Sequence, residues 1–231
     1  MPTADRENAP SRADDEVVLY GYRFSVYTRA ARLVLIEKVV GHRHVEIDPF
    51  SADVPSWYTR LQPFGRVPAL CHGNFAIHET AAIARYVEAA FPGPALLPGG
   101  PRALARVAQV IGTVDAHGYW PMVRQVFAHA VFRPLAGEAS DPEEIAAGLR
   151  ASAPVLDALE GIAREGLVLD GELITLADCH LAPVVACFAL CEDGTRALAA
   201  RPRLARWWAA VSARDPVRAT DPDFAATVPR S

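Results

Sequence analysis

The sequence has no CxxC pair, no cluster of lysine and arginine, and no apolar run approaching the roughly 18 residues of a membrane span. Each absence removes a class of protein. Hydrophobic residues make up 51% of the chain, yet charges interrupt every apolar stretch, so a soluble protein with no membrane span is expected. A net charge of −4 and a pI near 6.0 leave no electrostatic footprint for nucleic acid. Residues 1–16, "MPTADRENAPSRADDE", lack the basic start and apolar core of a secretory signal and read as a disordered arm. The four cysteines, Cys71, Cys179, Cys187 and Cys191, lack metal-finger spacing, and so few in 231 residues suit a reducing compartment, by default the cytoplasm. Cys187 and Cys191 stand four apart in an apolar stretch and read as buried structural residues. His42 and His44 have no further ligand nearby, so they read as a solvated turn and no metal is expected.

What is present falls into two halves. The first alternates: "VVLY" is a short apolar strand, "TRAARLVLIEKVV" a helix, "HVEI" a strand and "SWYTRLQ" a short helix. Then "ALC", the turn "HGN" and "FAI" make a hairpin, followed by a helix with Ile83, Tyr86, Val87 and Ala90 on one face. The order is βαβ, then ββα, over 17–91. Residues 92–101 are rich in proline and glycine and read as a linker. From 102 to 231 the strand signals disappear. A long helical pattern runs to about Phe132, with a kink expected at Pro121. The next helix starts with Asp141 at the N-cap, Pro142 at N1, and Glu143 and Glu144 in the first turn, where a capping box is expected. A second box, "TLAD", sets Thr175 and Asp178 at the start of a buried helix. A last helix opens at Pro202 and gives way to an irregular tail.

Pro68 stands where a strand begins, and a proline there belongs to a first position, an edge or a cis turn. With that proline, the βαβ and ββα order is the thioredoxin-like arrangement. Joined to an all-helical half, the whole resembles the cytosolic glutathione S-transferase family, most nearly its serine-type, phi- or theta-like bacterial members. The resemblance covers nearly the whole chain from about Val17 and rests on "LYGYRFSVYTRAARLVLIEK", "LQPFGRVPAL", "HETAAIARYVE" and "TLAD". It implies glutathione as co-substrate, bound in the first half, and a thiolate that attacks small apolar electrophiles. It also implies a homodimer, although no heptad or patch in the sequence shows one.

The resemblance distributes roles over particular residues. A cis Pro68 turns the Val67 backbone outward to pair with the cysteinyl backbone of glutathione; alternatively Pro68 only shapes a turn. Glu79 faces the γ-glutamyl ammonium and Thr80 its carboxylate at a helix start; alternatively Thr80 simply caps that helix. Arg66 stands where the family often has Gln; it either pairs with the glycyl carboxylate or is solvated. "SVYTR" matches the Ser-x-x-Thr-Arg of the serine classes and makes Ser25 the thiolate's hydroxyl donor. Tyr20, Tyr22 and Tyr27 are the alternatives. No cysteine lies in that loop, which disfavours the disulfide-forming variants. Lowering a thiol pKa of about 8.5 by two units takes about 2.7 kcal/mol. One hydrogen bond to a charged acceptor supplies about 1.5–3 kcal/mol, and a helix N-terminus up to about 1 more. The acceptor cleft is expected between the halves, lined by Tyr22 and Phe24 and by Tyr119, Met122, Arg124 and Phe127. A non-catalytic binding module with the same fold is the other reading, and Ser25 is what separates the two.

Overall fold

The computed structural model describes residues 15–228; the arm expected over 1–16 lies almost wholly outside the described residues. Two compact units divide the chain, one through Pro94 and one from Ala95 onward.

In the first unit, β1 (Val17–Gly21), α1 (Val26–Glu37), β2 (Arg43–Glu46), α2 (Ser56–Leu61), β3 (Ala69–His72), β4 (Phe75–His78) and α3 (Thr80–Ala90) follow in order. The sheet order is β2-β1-β3-β4, with β1 parallel to β2 and antiparallel to β3. β1 is buried along its length because helices cover both faces of the sheet, so its five residues need no polar alternation. On one face Val18, Tyr20, Ala69 and Cys71 pack with Ile47 and with Tyr58, Trp57 and Leu61 around α2. α1 packs against α3. The buried face of α3 is Thr80, Ile83, Ala84 and Val87; Ala90, expected on it, is exposed at the helix end, and Tyr86 is half-buried with its hydroxyl 2.8 Å from His72 Nδ1. His44 does not sit in a solvated turn. It is half-buried on β2, its Nε2 donates to the Gly21 carbonyl at 3.2 Å, and burial, with Arg32 nearby, pulls its pKa below 6.5. The single lysine of the sequence, Lys38, closes α1; it is 4% exposed and pairs with Glu88 of α3 at 3.1 Å.

The second unit is helical throughout its described residues. α4 (Pro101–Thr113) continues through two stretches of wider, π-type pitch, Val114–Gly118 and Trp120–Phe132, into α5 (Arg133–Leu135). Pro121 produces no break. The amides of Tyr119 and Arg133 reach carbonyls five residues back, at Val114 and Ala128, and within this wider register the missing proline N–H leaves the helix running. α6 (Pro142–Glu165) starts as expected, with Asp141 accepting from the amides of Glu143 and Glu144, a cap worth about 1 kcal/mol. Its expected capping box does not close. Glu144 accepts from Gln125 instead, and the Asp141 amide donates to His129 Nδ1. Gly166, at φ 69°, ends the helix in the left-handed conformation that glycine tolerates.

α7 (Leu176–Phe188) is buried almost all round, as its near-continuous apolar sequence requires. Its capping box is complete: the Thr175 amide and hydroxyl donate to Asp178, and the Ala177 amide to Thr175 Oγ1. Trp207 Nε1 adds a third donor to the same carboxylate. α8 (Glu192–Ala199), α9 (Pro202–Ser212), α10 (Asp215–Ala219) and α11 (Phe224–Thr227) complete the unit, so the tail expected to be irregular carries two short helices. All four cysteines are buried, and none of them forms a disulfide.

Candidate active site

The turn from β1 to α1 is built around Thr28. A Cβ on Gly21 would stand 2.3 Å from the Thr28 methyl, so only glycine lets strand and helix approach this closely. Thr28 Oγ1 accepts the Tyr22 amide at 3.2 Å, and the Ser25 amide donates to the Tyr22 carbonyl at 2.9 Å. These bonds close a tight Tyr22–Ser25 loop.

Ser25 then takes the N-cap of α1 with an extended backbone, and its Oγ accepts the Thr28 amide at 3.2 Å. A serine hydroxyl carries two lone pairs and one proton, so capping leaves the proton available for donation elsewhere. No acidic side chain stands in the first turn of α1, and the positive end of the helix is not neutralised there. Of the alternative hydroxyls, Tyr20 is 1% exposed and faces the α2 core. Tyr22 is half-buried, edge-on to Phe24 and Phe50. Burial, followed by the carboxylates of Asp48 and Glu46, holds its phenol above the ordinary value, so it is a neutral group at physiological pH. Tyr27 is half-buried in α1.

The second cluster lies around the hairpin. The Val67–Pro68 bond is cis, Pro68 is buried at the head of β3, and Val67 packs on the α2-side core. Tyr58 donates to the Arg66 carbonyl at 2.8 Å and so fixes the backbone just before this bond, while the Arg66 side chain is exposed. Glu79 has φ 69° and ψ 118°, a conformation that costs a non-glycine residue about 1–3 kcal/mol and persists where the surroundings impose it. Its side chain is exposed. Glu79, not Thr80, occupies the N-cap position of α3, and no side chain caps that helix. Thr80 is its first residue, 6% exposed, and the opening amides of the helix have no intrahelical acceptor.

The residues expected to line an acceptor cleft have different surroundings. Tyr22 and Phe24 belong to the β1–α1 loop. Met122 is fully buried and Phe127 packs on Phe132 and Phe224, so both are interior residues of the helical unit; Tyr119 is half-buried and Arg124 exposed. The segment bearing them packs on α6 and α7, which turns these apolar side chains inward. Three residues escaped the sequence reading. Thr28 lay within "SVYTR" without a role, Tyr58 gave no polar signal inside a short helix, and Phe50 followed an Asp-Pro turn with no periodicity.

A four-stranded thioredoxin-like unit with a cis-proline hairpin and a strained Glu-Thr helix start, followed by a helical unit, is the glutathione transferase fold. Residues 19–95 match the family model of the glutathione S-transferase N-terminal domain, and residues 123–215 that of the C-terminal domain. The chain is 31% identical to glutathione S-transferase 3 of Zea mays over 199 residues, covering 85% of this chain and 89% of that one. It is 30% identical to glutathione S-transferase F9 of Arabidopsis thaliana over 200 residues, covering 85% and 92%. Among solved structures, apo glutathione S-transferase III superposes with a TM-score of 0.75 at 29% identity, covering 94% of this chain and 98% of that one. Glutathione transferase F7 of Populus trichocarpa superposes with a TM-score of 0.74 at 25% identity, covering 88% and 97%. The chain belongs to the glutathione S-transferase family, and the transferase activity that goes with it uses glutathione as co-substrate. No helix among the described residues is long and apolar enough to cross a membrane.

Proposed function

We propose that this is a serine-type transferase that conjugates glutathione to small apolar electrophiles, the Ser25 hydroxyl holding the glutathione sulfur as a thiolate. One observation carries the reading: Ser25 Oγ accepts the Thr28 amide, which holds the oxygen at the start of α1 while its own proton remains available to donate. The hydroxyl proton then bonds the thiolate, and the unneutralised start of α1 adds its positive potential. The thiolate attacks the electrophilic carbon; the C–S bond forms, the leaving group departs with its electron pair, and the thiol proton has already passed to solvent.

The rest of glutathione follows from charge and backbone. The Val67 backbone pairs with the cysteinyl unit, ahead of the buried Pro68. The γ-glutamyl carboxylate meets the opening amides of α3 and the Thr80 hydroxyl, and Glu79 meets the ammonium. Exposed Arg66 takes the glycyl carboxylate as a flexible clamp. Tyr22 and Phe24 supply the acceptor side of the same loop. A cytoplasmic homodimer completes the proposal and rests on family resemblance alone.

The test is conjugation of glutathione to chlorodinitrobenzene, run beside calorimetric titration with glutathione. Turnover with saturable binding is expected. Binding without turnover on aryl, alkyl, epoxide or peroxide substrates would make the protein a glutathione-binding module, and no binding would refute the site.

A further inference from the structure

The Tyr22–Ser25 loop is anchored from outside itself. β2 is an outermost strand of the sheet and runs parallel to β1, with His44 opposite Leu19 and Glu46 opposite Gly21. Residues 44 and 46 share one face of that strand, and both reach the backbone where β1 ends. His44 Nε2 donates to the Gly21 carbonyl at 3.2 Å, beside the Ile47 amide, which donates to the same oxygen at 2.9 Å. Glu46 Oε1 accepts the Arg23 amide at 3.0 Å. Between these two contacts, the Tyr22 amide donates to Thr28 Oγ1 at 3.2 Å.

The Gly21 carbonyl and the Tyr22 amide are the two ends of one peptide plane, so His44 and Thr28 hold that plane from opposite ends. Thr28 in turn gives its own amide to Ser25 Oγ at 3.2 Å. One peptide plane and one threonine thus connect His44 to the Ser25 oxygen. The imidazole suits this position chemically. Its carbonyl partner requires the proton on Nε2, and burial, followed by the Arg32 guanidinium, favours the uncharged ring. An uncharged donor adds no field at the sulfur, so its influence is geometric.

We infer that His44 is a positioning residue for the reaction, holding the Gly21–Tyr22 peptide from β2 so that Thr28 sets Ser25 where its hydroxyl meets the glutathione sulfur. The inference rests on the thiolate-holding reading of Ser25 and adds a residue outside the loop that sets its reach. A displaced hydroxyl makes a longer, weaker bond, and misplacement by about 1 Å costs up to about a hundredfold in rate.

The test follows the thiol of bound glutathione by ultraviolet titration in the wild-type protein, in His44→Ala, His44→Gln and Ser25→Ala, and in the double variant carrying both alanines. His44→Ala is expected to raise the thiol pKa by about half to one unit and to lower kcat/KM at neutral pH about three- to tenfold. Affinity for S-methylglutathione, which has no ionising sulfur, stays within about twofold by calorimetry. His44→Gln can still donate an N–H to the Gly21 carbonyl and restores the low pKa. On the Ser25→Ala background, His44→Ala adds nothing, because the hydroxyl it positions is gone. Where chemical denaturation shows that alanine loosens the strand, His44→Val, a stronger strand former, replaces it. Four results overturn the inference and leave the Ser25 reading standing, provided Ser25→Ala itself raises the thiol pKa. They are an unchanged pKa in the folded His44 variant, no rescue by glutamine, an undiminished effect in the double variant, and an equal loss of S-methylglutathione binding. If Ser25→Ala leaves the thiol pKa where it was, the Ser25 reading fails and this one with it.

Discussion

Replacing Ser25 with alanine removes two interactions at once, and a second substitution separates them. Alanine takes away the acceptor of the Thr28 amide, and loss of such a cap costs about 1 kcal/mol of stability. It also takes away the proposed donor to the thiolate, a charge-assisted bond worth about 1.5–3 kcal/mol. At about 1.4 kcal/mol per unit, that loss raises the pKa of bound glutathione by about one to two units. The thiolate exists above its pKa, so the rate plateau moves to higher pH by the same amount, and at neutral pH the rate falls about ten- to a hundredfold. Ser25→Asp restores the cap without a donor and sets a negative charge beside the sulfur. It is expected to recover the lost stability and to leave the thiol pKa as high as in alanine, or higher. The assay is ultraviolet titration of the bound thiolate, with chemical denaturation of each variant alongside. The reasoning is refuted if alanine lowers stability with no change in thiol pKa, since Ser25 would then be a cap and nothing more.

Glu79→Gly should hold stability or raise it by up to about 1 kcal/mol, because glycine accepts φ 69°, while glutathione affinity falls about tenfold; calorimetry and thermal melts read the two effects separately. Asp178→Asn presents an N–H to one of three donors converging on that carboxylate and should cost about 1–3 kcal/mol, followed by the fluorescence of Trp207. For His44 the folded pKa lies below the unfolded 6.5, so its contribution to stability is complete above 6.5 and is lost as pH falls from there through the lower folded pKa. Denaturation midpoints of wild-type protein should therefore drop more steeply below pH 6.5 than those of His44→Gln, and parallel curves would dismiss the effect.

The elements that sequence alone made legible are those specified locally. "VVLY", "ALC" and "FAI" announce strands by β-branched or apolar runs between turn residues, and Thr175 with Asp178 marks a helix start within four residues. Features decided by distant partners were not legible. The box at Asp141 fails because Gln125 captures Glu144 from another helix, and the wide pitch around Pro121 follows from register with no composition signal. At the candidate site, Ser25, Val67, Pro68, Glu79 and Thr80 were found by motif. Phe50 was not, because a lone aromatic after Asp-Pro has no period to reveal it. Met122 and Phe127 misled for the opposite reason: apolar residues on a long helix serve pocket and core alike, and only packing against α6, α7 and Phe224 separates the two.

The burial of Lys38 against Glu88 changes how the surface of this protein meets reagents. With no other lysine in the sequence, side-chain positive charge outside that pair resides on guanidinium groups, which stay protonated at any working pH. Acylating reagents that seek a deprotonated side-chain amine find only one, and it is enclosed. Dicarbonyl reagents that seek guanidinium meet many. Labelling at Lys38, read apart from the α-amino group of the chain, therefore becomes a probe of unfolding, since Lys38 turns reactive when α1 and α3 part.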